Sequence, residues 1–284
     1  MSNEVLCFSH STPLKRGTGC LLAGLLSAIL SVAIAQTSEP PTSQSVELAP
    51  AIRDEVMKVV SKSEPPALLR VVRGEIESGS TKPKAERYFE RLENGLWGVT
   101  LLIPVRGVIV RRMLTLNGII DLATATQIAR EIDVPSLVPV GKYFLSFSIT
   151  KDLKTSGITN TTALSGDLGT LVSPTAGAKF SFEHAWDAQA TTTTTGLFGG
   201  TRTSNISIAL KQICTVEKEA EATELHSKLK GKYLLVACNG EFQNGKSVSK
   251  QFAFVRDSGL YLLLSSTIDG NKDTYTITDV EYAK

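Results

Sequence analysis

Over most of the chain apolar and polar side chains alternate with a period of two, the signature of strands with one buried face. Tyr143, Leu145, Phe147 and Ile149 stand opposite Phe144, Ser146, Ser148 and Thr150. The same alternation sets Phe180, Phe182, His184 and Trp186 against Lys179, Ser181, Glu183 and Asp187, and it recurs at Ile206, Ile208 and Leu210. From Gly231 onward, turn signals at Asn239-Gly240, Asn244-Gly245, Asp257-Ser258-Gly259 and Asp269-Gly270 punctuate successive apolar runs. Nearer the N-terminus, 68–78, 85–93, 96–103 and 108–116 are rich in β-branched and aromatic residues and read as strands. Asn117-Gly118 tolerates positive φ and predicts a hairpin turn back through Ile119–Leu122.

Three stretches depart from that period. Ile52, Val56, Val59 and Val60 recur at helical spacing until Pro65-Pro66 forbids continuation. Residues 124–132 and 216–230 also read as helices, the second with Glu217, Glu219 and Glu221 early, Lys228 and Lys230 late, and Gly231 as its cap. The prolines between Val134 and Pro139 break regular structure and predict a domain boundary. The expected fold is therefore mainly β. A small α+β part over 51–134 precedes an antiparallel sandwich- or meander-like domain over 140–284, with a few short helices.

Residues 1–35 follow the order of a bacterial-type secretory signal. Lys15 and Arg16 precede a charge-free stretch from Leu21 to Ala35, and a polar, proline-containing run begins at Gln36. Ala33 and Ala35 supply the small side chains needed before a cut, which places the predicted cleavage between Ala35 and Gln36. Ser, Thr, Pro and Gln dominate 36–50 and predict a flexible leader. Export to the periplasm or beyond follows, with no stable membrane span once the signal is removed. Of the four cysteines, Cys7 and Cys20 leave with the signal, so Cys214 and Cys238 are expected to pair in an oxidising compartment. Closing that loop is worth about 3.5 kcal/mol on the chain-entropy account.

At 284 residues, with 42% hydrophobic and 20% charged side chains, the composition is that of an ordinary globular protein. Without residues 1–35 the chain carries 28 basic and 27 acidic side chains. That balance gives no electrostatic ground for a nucleic-acid partner.

Motifs that could carry catalysis fail on spacing or context. Ser148-Ile149-Thr150-Lys151 and Ser247-Val248-Ser249-Lys250 have the spacing of penicillin-recognising acyl enzymes, but both fall in alternating strands where serine and lysine are not one helical turn apart. Asp257-Ser258-Gly259 lacks the second triplet an aspartic protease needs and fits a tight hairpin. Asp269, Asn271 and Asp273 have calcium-loop spacing, but Thr274 and Val280 stand where such a loop needs Gly and a bidentate Glu. His184 and His226 are the only histidines after the signal, too few for a zinc centre without distant partners. No catalytic residue, metal or cofactor is assigned.

Two binding features remain. Phe180, Phe182, His184 and Trp186 share one strand face and form a candidate ligand strip. The run Thr191–Thr195 leads into Gly196-Leu197-Phe198-Gly199-Gly200, a hairpin tip whose Leu197 and Phe198 are candidate partner contacts. Fourteen threonines between 150 and 203 place hydroxyls on outward strand faces. Together these predict a non-enzymatic envelope protein acting in binding, adhesion or assembly, with a protein or envelope polymer as partner. The alternatives are an envelope-polymer hydrolase and a carrier of a small apolar ligand. A concave pocket with two converging carboxylates favours the hydrolase, a closed apolar cavity favours the carrier, and neither of these favours the binding module.

Overall fold

A computed structural model describes residues 48–60, 67–104, 107–140, 143–195 and 199–283, with only the backbone over 132–151. The chain is mainly β, in strands β1 (Leu69–Ser78), β2 (Lys84–Arg91), β3 (Trp97–Pro104), β4 (Gly107–Leu116), β5 (Ile120–Val140), β6 (Tyr143–Gly166), β7 (Lys179–Thr194), β8 (Gly200–Glu221), β9 (Lys232–Phe242), β10 (Ser247–Val255), β11 (Leu260–Ile268) and β12 (Asn271–Tyr282). Helix α1 (Pro50–Val59) precedes β1, and the short helix α2 (Leu168–Val172) joins β6 to β7.

Each strand pairs antiparallel with its sequence neighbours, and β1 pairs with β12, so the twelve strands close into one barrel. Closure removes the two edges that an open sheet would expose. On the outer surface of that seam Arg73 of β1 meets Asp279 of β12 at 3.0 Å and Glu86 of β2 at 3.4 Å. These are half-exposed pairs of modest worth that favour the observed register.

The closed barrel corrects the expected sandwich- or meander-like domain, and the expected α+β N-terminal part is not what forms. Strands on both sides of 134–140 belong to the same sheet, and that stretch lies inside β5. The predicted helix over 124–132 is also strand: Thr124, Thr126 and Ile128 pair across to Met113, Arg111 and Ile109 of β4. β-branched residues at every second position suit that pleat better than a helix. The helix expected over 216–230 is strand as far as Glu221, followed by a single 3-10 turn over Ala222–Glu224. Glu219 is held there by Lys232 at 2.9 Å and Arg256 at 2.7 Å, cross-strand partners that a local charge pattern does not reveal. Leu48, inside the expected leader, is buried against α1 and the core.

The turns alternate between two ends of the barrel. One end carries the Asn117-Gly118 turn, α2 and the β10–β11 turn, and α1 packs beside α2. There Tyr261 donates its hydroxyl to the Leu171 carbonyl at 2.7 Å, and Asn117 Nδ2 donates to the Val172 carbonyl at 3.2 Å. Asn117 and Gly118 both adopt positive φ, 51° and 80°, as a two-residue hairpin turn requires. The other end carries the long hairpins. β5 to β8 run 21, 24, 16 and 22 residues, and 131–140 of β5 pair with β6 alone, beyond the last partner in β4.

The core is divided by β9–β11. Leu234, Val236, Phe252, Phe254 and Tyr261 join a cluster with Ile52 and Val56 of α1, Leu171 of α2, Leu116 and Phe182. The intervening Tyr233, Ala253, Val255, Leu260 and Leu262 join a second cluster with Leu69, Phe89, Trp97 and Val280. These strands are thus buried on both faces, which explains why 260–264 reads Leu-Tyr-Leu-Leu-Leu rather than alternating.

Candidate functional site: the barrel lumen

Inward positions on β1–β5 and β10–β12 leave a cavity of about 310 Å³ between them. Its register runs from Gly118 and Tyr261, at the end closed by the helices, toward Ile103, Ile109 and Ile128 at the hairpin end. Much of the wall is apolar, including Phe89, Val99, Leu101, Met113, Phe252 and Leu263. Set into it are Arg87, Arg111, Asp121, Lys250 and Tyr275.

The strands fix these polar groups by simple alternation. Arg87 lies between Ala85 and Phe89 on the inward face of β2, while Glu86, Tyr88 and Glu90 face out. Arg87 pairs with Leu101 of β3, and Leu101 pairs with Arg111 of β4. The two arginines therefore flank one leucine in a single cross-strand row, with Cα atoms about 10 Å apart. The Arg87 guanidinium also lies over the Tyr275 ring, 5.2 Å from its centre. Lys250 enters from β10, level with Cys238 of β9 and Ser266 of β11.

Asp121 stands at the start of β5, opposite Thr115. It is enclosed by protein yet solvent-accessible, because what it faces is hollow. Burial raises the Asp121 pKa above the ordinary carboxylate value, against the attraction of Arg111, Lys250 and Arg87. Burial likewise lowers Lys250 against the attraction of Asp121, and lowers Arg87 against Tyr275 and Asp121. Dehydration thus outweighs mutual attraction for all three groups. Among the described residues, none of the three cations reaches a carboxylate within 4.0 Å. Among the described residues, Asp121 is the only carboxylate of the lining, against three cations.

The strip predicted on β7 lies on the inward face of that strand but outside this cavity. Phe180 and Phe182 are packed in the core. His184 and Trp186 stack with ring centres 4.7 Å apart, and Trp186 meets Phe242 edge-on at 6.5 Å. His184 is buried, with Nε2 2.8 Å from the Thr161 hydroxyl. Burial first, and the charge of Lys250 second, push its pKa down to about 4. Cys214 and Cys238 form a disulfide between paired positions of β8 and β9, both fully buried. Leu197 and Phe198, and the cleavage residues Ala33, Ala35 and Gln36, lie outside the described residues. Beside that tip, hydroxyls of Thr191 and Thr203, and of Thr193 and Thr201, pair across β7 and β8 at 3.1 Å.

Sequence reasoning passed over the lumen residues. The signal they carry is of another kind than a motif: Arg87, Arg111 and Lys250 all occupy the inward phase of their strands. A second hollow of about 460 Å³ lies where β1 begins and β2 turns into β3, lined by Leu68, Arg70, Glu90, Arg91, Glu93 and Trp97 among others. Its charges balance, and Arg91 lies over the Trp97 ring. Among the described residues no group of three or more His, Cys, Asp or Glu could hold a metal ion, and no helix is long and apolar enough to cross a membrane. No family model, curated protein or solved structure matches this chain.

Proposed function

We propose that this protein is a non-enzymatic binding barrel of the periplasm or cell exterior that carries a small molecule with an apolar body in its lumen. The observation that carries the reading is the cavity itself, at the lower end of the about 300–1,000 Å³ usual for small-ligand sites and walled mainly by aliphatic and aromatic side chains. A lone lining carboxylate among the described residues argues against the hydrolase, which needs two. The outward faces carry exposed Glu183 and Lys211, paired at 2.8 Å, and exposed Glu90. A lipid-spanning barrel would place an apolar band there. Export rests on the signal-like segment over 1–35 and on the buried Cys214–Cys238 bond.

A neutral naphthylamine dye tests the carrier. Saturable fluorescence gain at one dye per chain, lost when Val99→Trp fills the cavity and retained when Ile213→Trp is placed on the outer face, supports it. No saturable gain, or equal gain in Val99→Trp with the fold intact by circular dichroism, removes it. Intact mass of protein recovered from its host, before and after reduction, tests export. An N-terminus at Gln36 and a disulfide are expected, and full-length chain with free Cys214 and Cys238 is the contrary result.

A further inference from the structure

The lumen is apolar enough to hold a hydrocarbon body but carries charge that such a body does not need. Arg87 and Arg111 flank Leu101 from β2 and β4, Lys250 enters from β10, and among the described residues Asp121 is the one opposing charge. Three cations and one carboxylate leave an excess of positive charge in a space bounded by Leu101, Met113, Phe252 and Leu263. An uncompensated charge in such surroundings is costly unless water or a counter-charge meets it. A cavity near 310 Å³ holds about ten water-sized groups, so a counter-charge that replaces water there comes on a small molecule.

Building on the carrier reading, we infer that the natural ligand is an anionic amphiphile, whose head is met by Arg87, Arg111 and Lys250 and whose apolar body lies along Leu101, Met113, Phe252 and Leu263. Arginine suits this task, since its planar fork can meet a carboxylate or phosphate with two parallel hydrogen bonds. The neighbouring Tyr275 ring holds the Arg87 plane and limits the entropy lost when the head arrives.

Octanoate and its neutral isostere octanamide separate charge from shape, with octyl phosphate distinguishing the two kinds of anionic head. By calorimetry on the exported protein, octanoate or octyl phosphate is expected to bind at least about ten-fold tighter than octanamide, the worth of one charge-assisted contact. Lys250→Met should narrow that gap by weakening octanoate and octyl phosphate. Equal binding of octanoate, octyl phosphate and octanamide overturns the anionic ligand but leaves the carrier standing. If none of the three binds and the neutral dye also fails to enter, both readings fall. The comparison on the unaltered protein stands even if Lys250→Met does not fold.

Discussion

The inward faces of β7–β9 and of β2–β5 obey the same alternation but end differently. On β7–β9 the inward side chains include Phe180, Phe182, Cys214, Val216, Val236 and Cys238, all buried and in contact as one cluster. On β2–β5 they include Arg87, Leu101, Arg111, Asp121 and Thr126, and the space before them is open. Guanidinium and carboxylate groups resist close packing against hydrocarbon because each must keep water or a partner. Where they occupy the inward phase the walls stay apart, and where phenylalanines and a disulfide occupy it the walls meet. One barrel thus holds a filled region that supplies stability and a hollow region that is free to bind.

The comparison breaks most readily under truncation. Phe182→Ala should cost about 3–5 kcal/mol in urea unfolding, because Phe182 is 2% exposed and its loss leaves a cavity with fixed walls. Leu101→Ala, half-buried at the edge of an existing hollow, should cost about 1 kcal/mol or less. Equal costs would mean that the lumen is closed in solution. Replacing Cys214 and Cys238 together by Ala removes a cross-link of sequence separation 24 from the filled region. A loss of about 3 kcal/mol is expected, with dye binding in the lumen retained. Loss of dye binding at temperatures where the variant is still folded would show that the hollow region depends on this cross-link for its shape.

Many of the local elements, on both sides of that comparison, could be read from the sequence. β1 to β4 fall within a residue or two of the expected strands, α1 ends before the prolines, and Asn117-Gly118 makes the turn its dipeptide demands. The inward phase of Phe180, Phe182, His184 and Trp186 is a local property, because alternation needs no knowledge of partners. Closure and the hollow could not be read in that way. Pairing of Leu69–Ser78 with Asn271–Tyr282 joins segments about 200 residues apart, and no local pattern encodes it. Thr124–Ile132 looked helical because its strand partners, Ile109–Met113 and 151–159, lie outside any local window. Arg87 and Lys250 look like ordinary strand charges until the barrel closes and turns both toward one space.

His184 connects the two regions, lying in the filled one while feeling Lys250 of the hollow one. Its pKa is about 4 in the folded protein and about 6.5 in the unfolded chain. Between those values the unfolded chain takes up a proton that the folded protein excludes. The His184 contribution is therefore complete above pH 6.5 and declines by up to about 3 kcal/mol as pH falls to 4. His184→Gln should flatten urea midpoints measured across that window. Lys250→Met should shorten the window from its acid side, since one cause of the depression is gone. An unchanged slope in His184→Gln would assign the acid sensitivity to other groups.

The smallest effect is the sharpest probe of the hollow. Asp121 has its pKa raised even though three cations attract its charge, so burial dominates and the ionised carboxylate is a net burden on the folded state. A raised carboxyl pKa means that stability is gained as pH falls through the folded value, opposite in sign to His184. Asp121→Asn should therefore be slightly more stable than the unaltered protein at neutral pH, and the difference should vanish once Asp121 itself is protonated. The same substitution removes the only negative charge of the lining among the described residues, so octanoate should gain affinity relative to octanamide. A destabilised Asp121→Asn with weaker octanoate binding would mean that the carboxylate positions Arg87, Arg111 and Lys250. In that case the charge the lumen needs is already present, and its ligand is neutral.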